Sequence, residues 1–277
     1  QQADGWRLKC KPVCASTEIE LSHWLQSVPW RGERPRAVLA DHQTRGQGQR
    51  GRRWEAARGG VWISAALPWN SRGGHADMLG LMVALALSER LERKGLPVRI
   101  KWPNDLYVQS GEIWEKCGGI LIENAWQGQN ISGTVIGIGI NALSSDLPRY
   151  RTSLSQVAPN IKTDQFDPRI LGKSLEKNVR LAIEEWKVAC TFSSSVAAAY
   201  HQKMSKLFDG CLLAKGIWKS YHWKNEEKVG KISAVDGSGR CIMEWKKTED
   251  SGSLQSIENN KQLQWSWIYD QLDAEAN

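Results

Sequence analysis

The stretch TRGQGQRGRRW at residues 44–54 has a composition that neither a helix nor a strand favours. Gly46, Gly48 and Gly51 allow backbone amides to approach an anion closely and allow positive φ. Arg45, Arg50, Arg52 and Arg53 add charge suited to phosphate or carboxylate, and Trp54 adds a flat apolar surface. A basic glycine loop of this kind could order only when an anionic ligand supplies its contacts, and it could equally be a plain surface turn. It lacks the Gly-Lys-Ser/Thr ending of a P-loop.

A second cluster lies downstream. KWPND at 101–105 puts Asn104 and Asp105 at an abrupt chain reversal, where such residues often only stabilise the turn. Lys116 precedes Gly118 and Gly119, and GIGIN at 137–141 repeats the side-chain-free device. Two glycine-bearing strands, one lysine, one acid and a basic loop point to a cleft for a small ligand plus a nucleotide phosphate.

Those residues need elements to hold them. STEIELSHWL at 16–25 starts a helix, and Thr17 with Glu20 fits a capping box. RAVLA at 36–40 is a buried strand feeding the loop, and GGVWISAALPW at 59–69 is the next strand, ended by Pro68. The spacing of apolar residues predicts an amphipathic helix over 76–94. VRIK is a strand stopped by Pro103; CGGILIEN and GTVIGIGIN are two more, joined over 124–133 as a hairpin. Helices are predicted at 174–190 and 194–207.

After Gly210 short alternating runs take over, and Asp236-Gly237 marks a hairpin turn. The division expected is residues 1–208 for the site-bearing domain and 209–277 for a small β domain. Residues 247–261 are polar.

The 277-residue chain is 41% hydrophobic, enough for one sizeable core and a small second domain. Its net charge of +7 favours anionic partners. Fifteen tryptophans spread along the whole chain suit core and interface positions better than a stripe of platforms for single-stranded nucleic acid. Of the cysteines at 10, 14, 117, 190, 211 and 241, only Cys10 and Cys14 are close, and no histidine completes a zinc site. Reduced, buried thiols of a cytoplasmic protein are expected. No signal segment and no apolar run of membrane-spanning length are present.

ADHQTRGQGQRGRRW, KWPNDLY, KCGGILIE and VIGIGIN, in this order and spacing, resemble the biotin protein ligases (biotin–acetyl-CoA-carboxylase ligases). ASTE near the start fits as well, and the resemblance covers roughly residues 12–245. Lipoate ligases share the fold but carry other glycine-rich motifs.

The resemblance implies an α+β fold with a mixed, largely antiparallel central sheet and helices, and a small SH3-like β domain at the C-terminus. It implies biotin contacts at Ser16, Thr17 and Gln43, at Gly46 and Gly48 of the loop, and at Gly119 and Gly137 of the strands. Thr17 then has two readings, helix cap and ligand contact. Lys116 is similar to the lysine that meets the biotin carboxylate and the phosphate. Trp54 is similar to the aromatic that packs on adenine, and Asn141 to a residue on the nucleotide side. Asn104 and Asp105 resemble a polar pair near the phosphate and Mg²⁺, with Asp105 as the metal contact.

Loop residues 46–51 resemble the segment that closes over the adenylate, which puts Gln47, Gln49, Arg50, Gly51 and Arg52 on that side. The family pattern Gly-Arg-Gly-Arg-x-Gly reads Gly-Gln-Gly-Gln-Arg-Gly here, so two arginines are neutral amides. A glutamine donates a hydrogen bond but no charge. Arg50 or Arg52 is expected to take over the lost contact.

The implied reaction consumes ATP, biotin and a lysine of the biotin carboxyl carrier protein. The expectation is an enzyme without the winged helix that some family members carry, hence no operator binding, no membrane, and a monomer or homodimer. A lipoate or octanoate transferase and a nucleic-acid-binding module are the rival readings.

Overall fold

The computed structural model describes residues 6–28, 34–72, 76–127, 130–143, 146–191, 194–223, 226–246 and 254–256. The main sheet has seven strands: β1 (Arg7–Lys11), β2 (Arg36–Ala40), β5 (Val61–Arg72), β6 (Val98–Lys101), β7 (Asp105–Ser110), β8 (Ile113–Gln127) and β9 (Asn130–Ile140). Their order is β1-β2-β5-β9-β8-β7-β6. Only the β1–β2 pair is parallel. The α+β class with a mixed, mainly antiparallel sheet is therefore as expected.

Two-residue periodicity explains what each face of this sheet does. In β9, Ile136, Ile138 and Ile140 are buried in the main core with Ile63 and Ala65 of β5 and Ile120 of β8. That core continues into helices α2 (Ala76–Glu92) and α4 (Pro168–Thr191) through Leu79, Val83, Leu87, Leu175 and Val179. The alternate positions of the same strands are Gly137 and Gly139, and they face the other way. Helix α1 (Thr17–Ser27) covers part of that second face, with Leu21 and Trp24 packed on Val38 and Ala66. The rest stays open and becomes the cleft.

Three details differ from the expectations. Ser16, not Thr17, caps α1: its hydroxyl accepts from Glu18 N–H at 3.2 Å, and Thr17 is the first helical residue. Strand β5 runs past Pro68 to Arg72: Pro68 still pairs with Gly133, and the register shifts only between Pro68 and Ser71. Helix α4 begins at Pro168, where the absent N–H costs nothing in the first turn.

Helix α5 (Ser194–Cys211) leads into a second, four-stranded antiparallel sheet: β10 (Lys219–Trp223), β11 (Glu226–Val235), β12 (Cys241–Trp245) and β13 (Leu254–Ser256). The Asp236 turn joins β11 to β12, its carboxylate accepting from the N–H groups of Ser238 and Arg240. Tyr221, Ile232, Val235 and Met243 bury into the same core as the large sheet. Trp102 Nε1 donates to Gly239 O at 3.1 Å across the junction. Of the polar 247–261 stretch, residues 247–253 and 257–261 lie outside the described residues.

Trp186 of α4 is fully buried, and its Nε1 donates to His201 Nε2 of α5 at 2.9 Å. Trp186→Ala leaves an indole-sized void and removes one hydrogen bond from the His201 imidazole. We expect a loss of about 3–5 kcal/mol, read as a lower urea midpoint with little change in slope.

Candidate functional site

The cleft is built on a row of cross-strand neighbours. Trp62 of β5 lies opposite Gly139 of β9, which lies opposite Gly119 of β8, which lies opposite Asp105 of β7. One step along, Ser64 faces Gly137, which faces Leu121. Absent side chains at 119, 137 and 139 leave a shallow trough between the flanking residues. Its volume is about 320 Å³, the lower end of the range for small-molecule sites.

Trp54 lies across the trough. It ends the loop hairpin of β3 (Gly46–Gln47) and β4 (Arg53–Trp54), with a 3₁₀ turn at Gln49–Gly51 between them. A Cβ on Gly139 would come within 3.1 Å of the indole, and one on Gly119 within 3.4 Å. The ring meets Trp62 edge-on, centroids 6.4 Å apart at 70°. The indole N–H is buried without a hydrogen-bond partner among the described residues.

At one end of the trough stands a polar cluster. Gln43 Oε1 accepts from Thr17 N–H at 2.7 Å and from the Thr17 hydroxyl at 3.0 Å; that hydroxyl also meets Ser64 Oγ at 2.7 Å. Ser16 and Thr17 are buried there by α1, whose N-terminal turn aims into the cleft. At the other end, Lys116 Nζ donates to Asp105 Oδ2 at 2.6 Å, with side-chain exposures of 18% and 6%. Asn104 Nδ2 donates to Ile120 O at 2.6 Å and clamps the KWPND turn, which has a cis Trp102–Pro103 bond, onto β8.

The structure thus gathers most of the expected residues around one cavity. Ser16, Thr17, Gln43, Gln47, Gly48 and Gln49 line it, and so do Arg52, Trp54, Asn104, Asp105, Lys116, Gly119 and Gly137. Four do not line it or lie outside what is described. Gly46 is part of the hairpin ladder, paired with Trp54, where a Cβ would be 2.5 Å from Trp54 O. Gly51 holds φ of +71° in the 3₁₀ turn. The side chain of Arg50 lies outside the described residues. Asn141 is buried one layer down and donates to Thr152 O at 3.2 Å, tying segment 148–152 to the sheet.

Sequence reasoning missed several lining residues. Trp62 and Ser64 carried a usable signal, because they alternate with Val61, Ile63 and Ala65 and so had to face away from the core. Arg149, Tyr150 and Arg151 carried none: their segment reaches the site through Lys116 N–H to Tyr150 O (3.3 Å) and Thr152 N–H to Lys116 O (3.1 Å). Glu18 also lines the cleft.

Burial, then the neighbouring carboxylate of Glu123, raises the Glu18 carboxyl to about 7. A raised folded-state value favours the protonated form. The stabilisation is present at low pH and is lost as pH rises from the ordinary 4.5 through about 7. Glu18→Gln should therefore melt higher than the parent at pH 8, with the gap closing by pH 5. Equal gaps at both pH values would refute it. The thiols of Cys14 and Cys117 are pushed up by burial to about 11 and about 12, which suits packing rather than nucleophilic chemistry.

Comparison with known proteins follows the same outline. Residues 17–141, from the start of α1 to just past β9, match the biotin/lipoate A/B protein ligase family. The bifunctional ligase/repressor BirA of Escherichia coli is 28% identical over 209 residues, 74% of this chain and 60% of that protein. The BirA of Bacillus subtilis is 35% identical over 129 residues, 44% of this chain and 38% of that protein. The chain thus spans less than two thirds of the length of these relatives. Among solved structures, a biotin protein ligase from Aquifex aeolicus in complex with biotin and ATP superposes with a TM-score of 0.64 at 22% identity, covering 91% of this chain and 99% of that one. A biotin acetyl coenzyme A carboxylase synthetase from Helicobacter pylori gives 0.52 at 20% identity. These likenesses establish the fold. No helix among the described residues is long and apolar enough to cross a membrane.

Proposed function

We propose that this chain, whose residues 17–141 match the biotin/lipoate A/B protein ligase family, joins biotin to ATP as biotinyl-5′-AMP and passes the biotin to a protein lysine. The carrier we favour is a biotin carboxyl carrier protein. In the first step a biotin carboxylate oxygen attacks the α-phosphorus and pyrophosphate leaves. In the second the lysine ε-amine attacks the acyl carbon, AMP leaves, and the amine gives up a proton.

The observation that carries the reading is the glycine trough with opposite chemistry at its two ends. Thr17, Gln43 and Ser64 offer donors and acceptors for an uncharged ureido ring, between apolar walls. Lys116 offers a positive charge where a carboxylate and a phosphate would meet. Trp54 supplies a stacking face, and the hairpin with Gln47, Gly48, Gln49 and Arg52 supplies the wall that excludes water.

Asp105 is the acid we assign to Mg²⁺. No group of three or more His, Cys, Asp or Glu able to hold a metal is present among the described residues. A single carboxylate fits an ion held mainly by the substrate's own phosphates. Such an ion would neutralise phosphate charge. Residues 1–208 would carry this chemistry and 209–277 would complete or flank it.

The test is pyrophosphate exchange into ATP. Exchange that requires biotin, ignores lipoate and is followed by labelling of a carrier protein supports the reading. Exchange driven by lipoate or octanoate instead would replace it with the acyl-transfer alternative, and steep salt-dependent binding to random DNA with no exchange would replace it with the nucleic-acid one.

A further inference from the structure

Charge around the cleft is unevenly spent. Lys116 and Asp105 cancel as a 2.6 Å pair, and Gln47 and Gln49 contribute none. Four arginines with described side chains line the cavity: 52, 53, 149 and 151. The first three are exposed, so water screens them; Arg151 is half-buried.

Arg151 is also the best positioned. Its guanidinium carbon lies 5.2 Å from the centroid of the Trp54 ring, and Lys116 Nζ lies 5.1 Å from it. The backbone bridge between Lys116 and Arg151, with the hydrogen bonds on either side, fixes that spacing. Stacking on an indole restrains a side chain that otherwise has much rotamer freedom to lose. Arg151 makes no ion pair among the described residues, whereas Lys116 is matched by Asp105, so the half-buried guanidinium is the charge that awaits an anion.

We propose that Arg151 is the phosphate-binding arginine of this site, holding the α-phosphate between itself and Lys116 and supplying the charge that Gln49 does not. The choice of phosphate rests on the ATP-dependent reading above. Arg52 is less suited, because its Nε already leans on Gln49 O at 3.4 Å on the exposed side of the hairpin.

The experiment compares binding of adenosine, AMP and ATP by calorimetry to the parent, Arg151→Ala and Arg151→Lys, alongside biotin-dependent exchange. Arg151→Ala should weaken AMP and ATP by about tenfold to a hundredfold, the worth of a charge-assisted hydrogen bond. Adenosine should bind all three alike, and Arg151→Lys should recover part of the loss. The deficit should shrink in 1 M salt. Unchanged AMP binding in Arg151→Ala overturns the inference, as does an equal loss for adenosine, which would make Arg151 a stacking partner and not an anion contact. Exchange that runs normally with either result leaves the proposed function standing while the inference falls. AMP binding that depends on Arg151 in a protein with no biotin-dependent exchange does the reverse.

Discussion

Lys116→Ala should lose biotin-dependent exchange by about a hundredfold to a thousandfold, the usual cost of removing one preorganised contact to developing charge. The substitution has a second effect that must be separated from the first. Asp105 is only 6% exposed and would be left without its partner. An uncompensated buried charge costs several kcal/mol, so the single variant could lose activity by losing structure. Pairing Lys116→Met with Asp105→Asn removes both charges and leaves two groups of similar shape. The double variant should regain the parent's melting temperature and should still lack exchange. Recovery of exchange along with the fold would mean that Lys116 only stabilises the turn, and the assignment of the charged end of the trough would fail. Measuring carrier labelling from preformed biotinyl-5′-AMP adds a finer distinction: a residue that acts chiefly at the α-phosphate slows the first half-reaction more than the second.

The trough itself was legible in the sequence because it depends on local periodicity. A strand that reads Ile-Gly-Ile-Gly-Ile must place its isoleucines on one face and its glycines on the other. Lys116, Gly119 and Asp105 were legible for a different reason: they carry family motifs, and their mutual approach follows from antiparallel pairing of neighbouring strands. Arg151 was not legible, because nothing in RYRT signals that Asn141 and Lys116 hold it against a tryptophan almost a hundred positions upstream. Capping misled for a simpler cause. Ser16 and Thr17 can both cap a helix, and the choice fell to tertiary contacts, since the Thr17 hydroxyl has better partners in Gln43 and Ser64. Pro68 misled because β5 pairs straight through it to Gly133 of β9 and loses register only beyond it.

Gly46→Val separates two kinds of glycine in the same loop. At Gly46 a Cβ would stand 2.5 Å from Trp54 O and 3.3 Å from Ala56 Cβ, so the β3–β4 ladder cannot form without moving backbone. Trp54 would shift with it, and the indole is what covers Gly119 and Gly139. Displacements of about an ångström at a positioned group cost about a hundredfold in rate, and we expect at least that loss of exchange. The hairpin packs on a small cluster around Ala56 and Trp62, apart from the main core, so the melting temperature should move by only a few degrees. At Gly51 nothing lies within 4 Å of a Cβ, but φ is +71°. Gly51→Ala therefore meets no neighbour and costs about 1 kcal/mol of backbone strain, with a modest fall in exchange. Gly51→Asn, which tolerates positive φ, should cost less still. If Gly46→Val and Gly51→Ala lower exchange equally, close packing beneath Trp54 is not what shapes the site, and the loop acts only through its flexibility. If Gly46→Val alone is severe, the glycines divide as the geometry requires: one lets the tryptophan lie down on the sheet, and the other lets the chain turn.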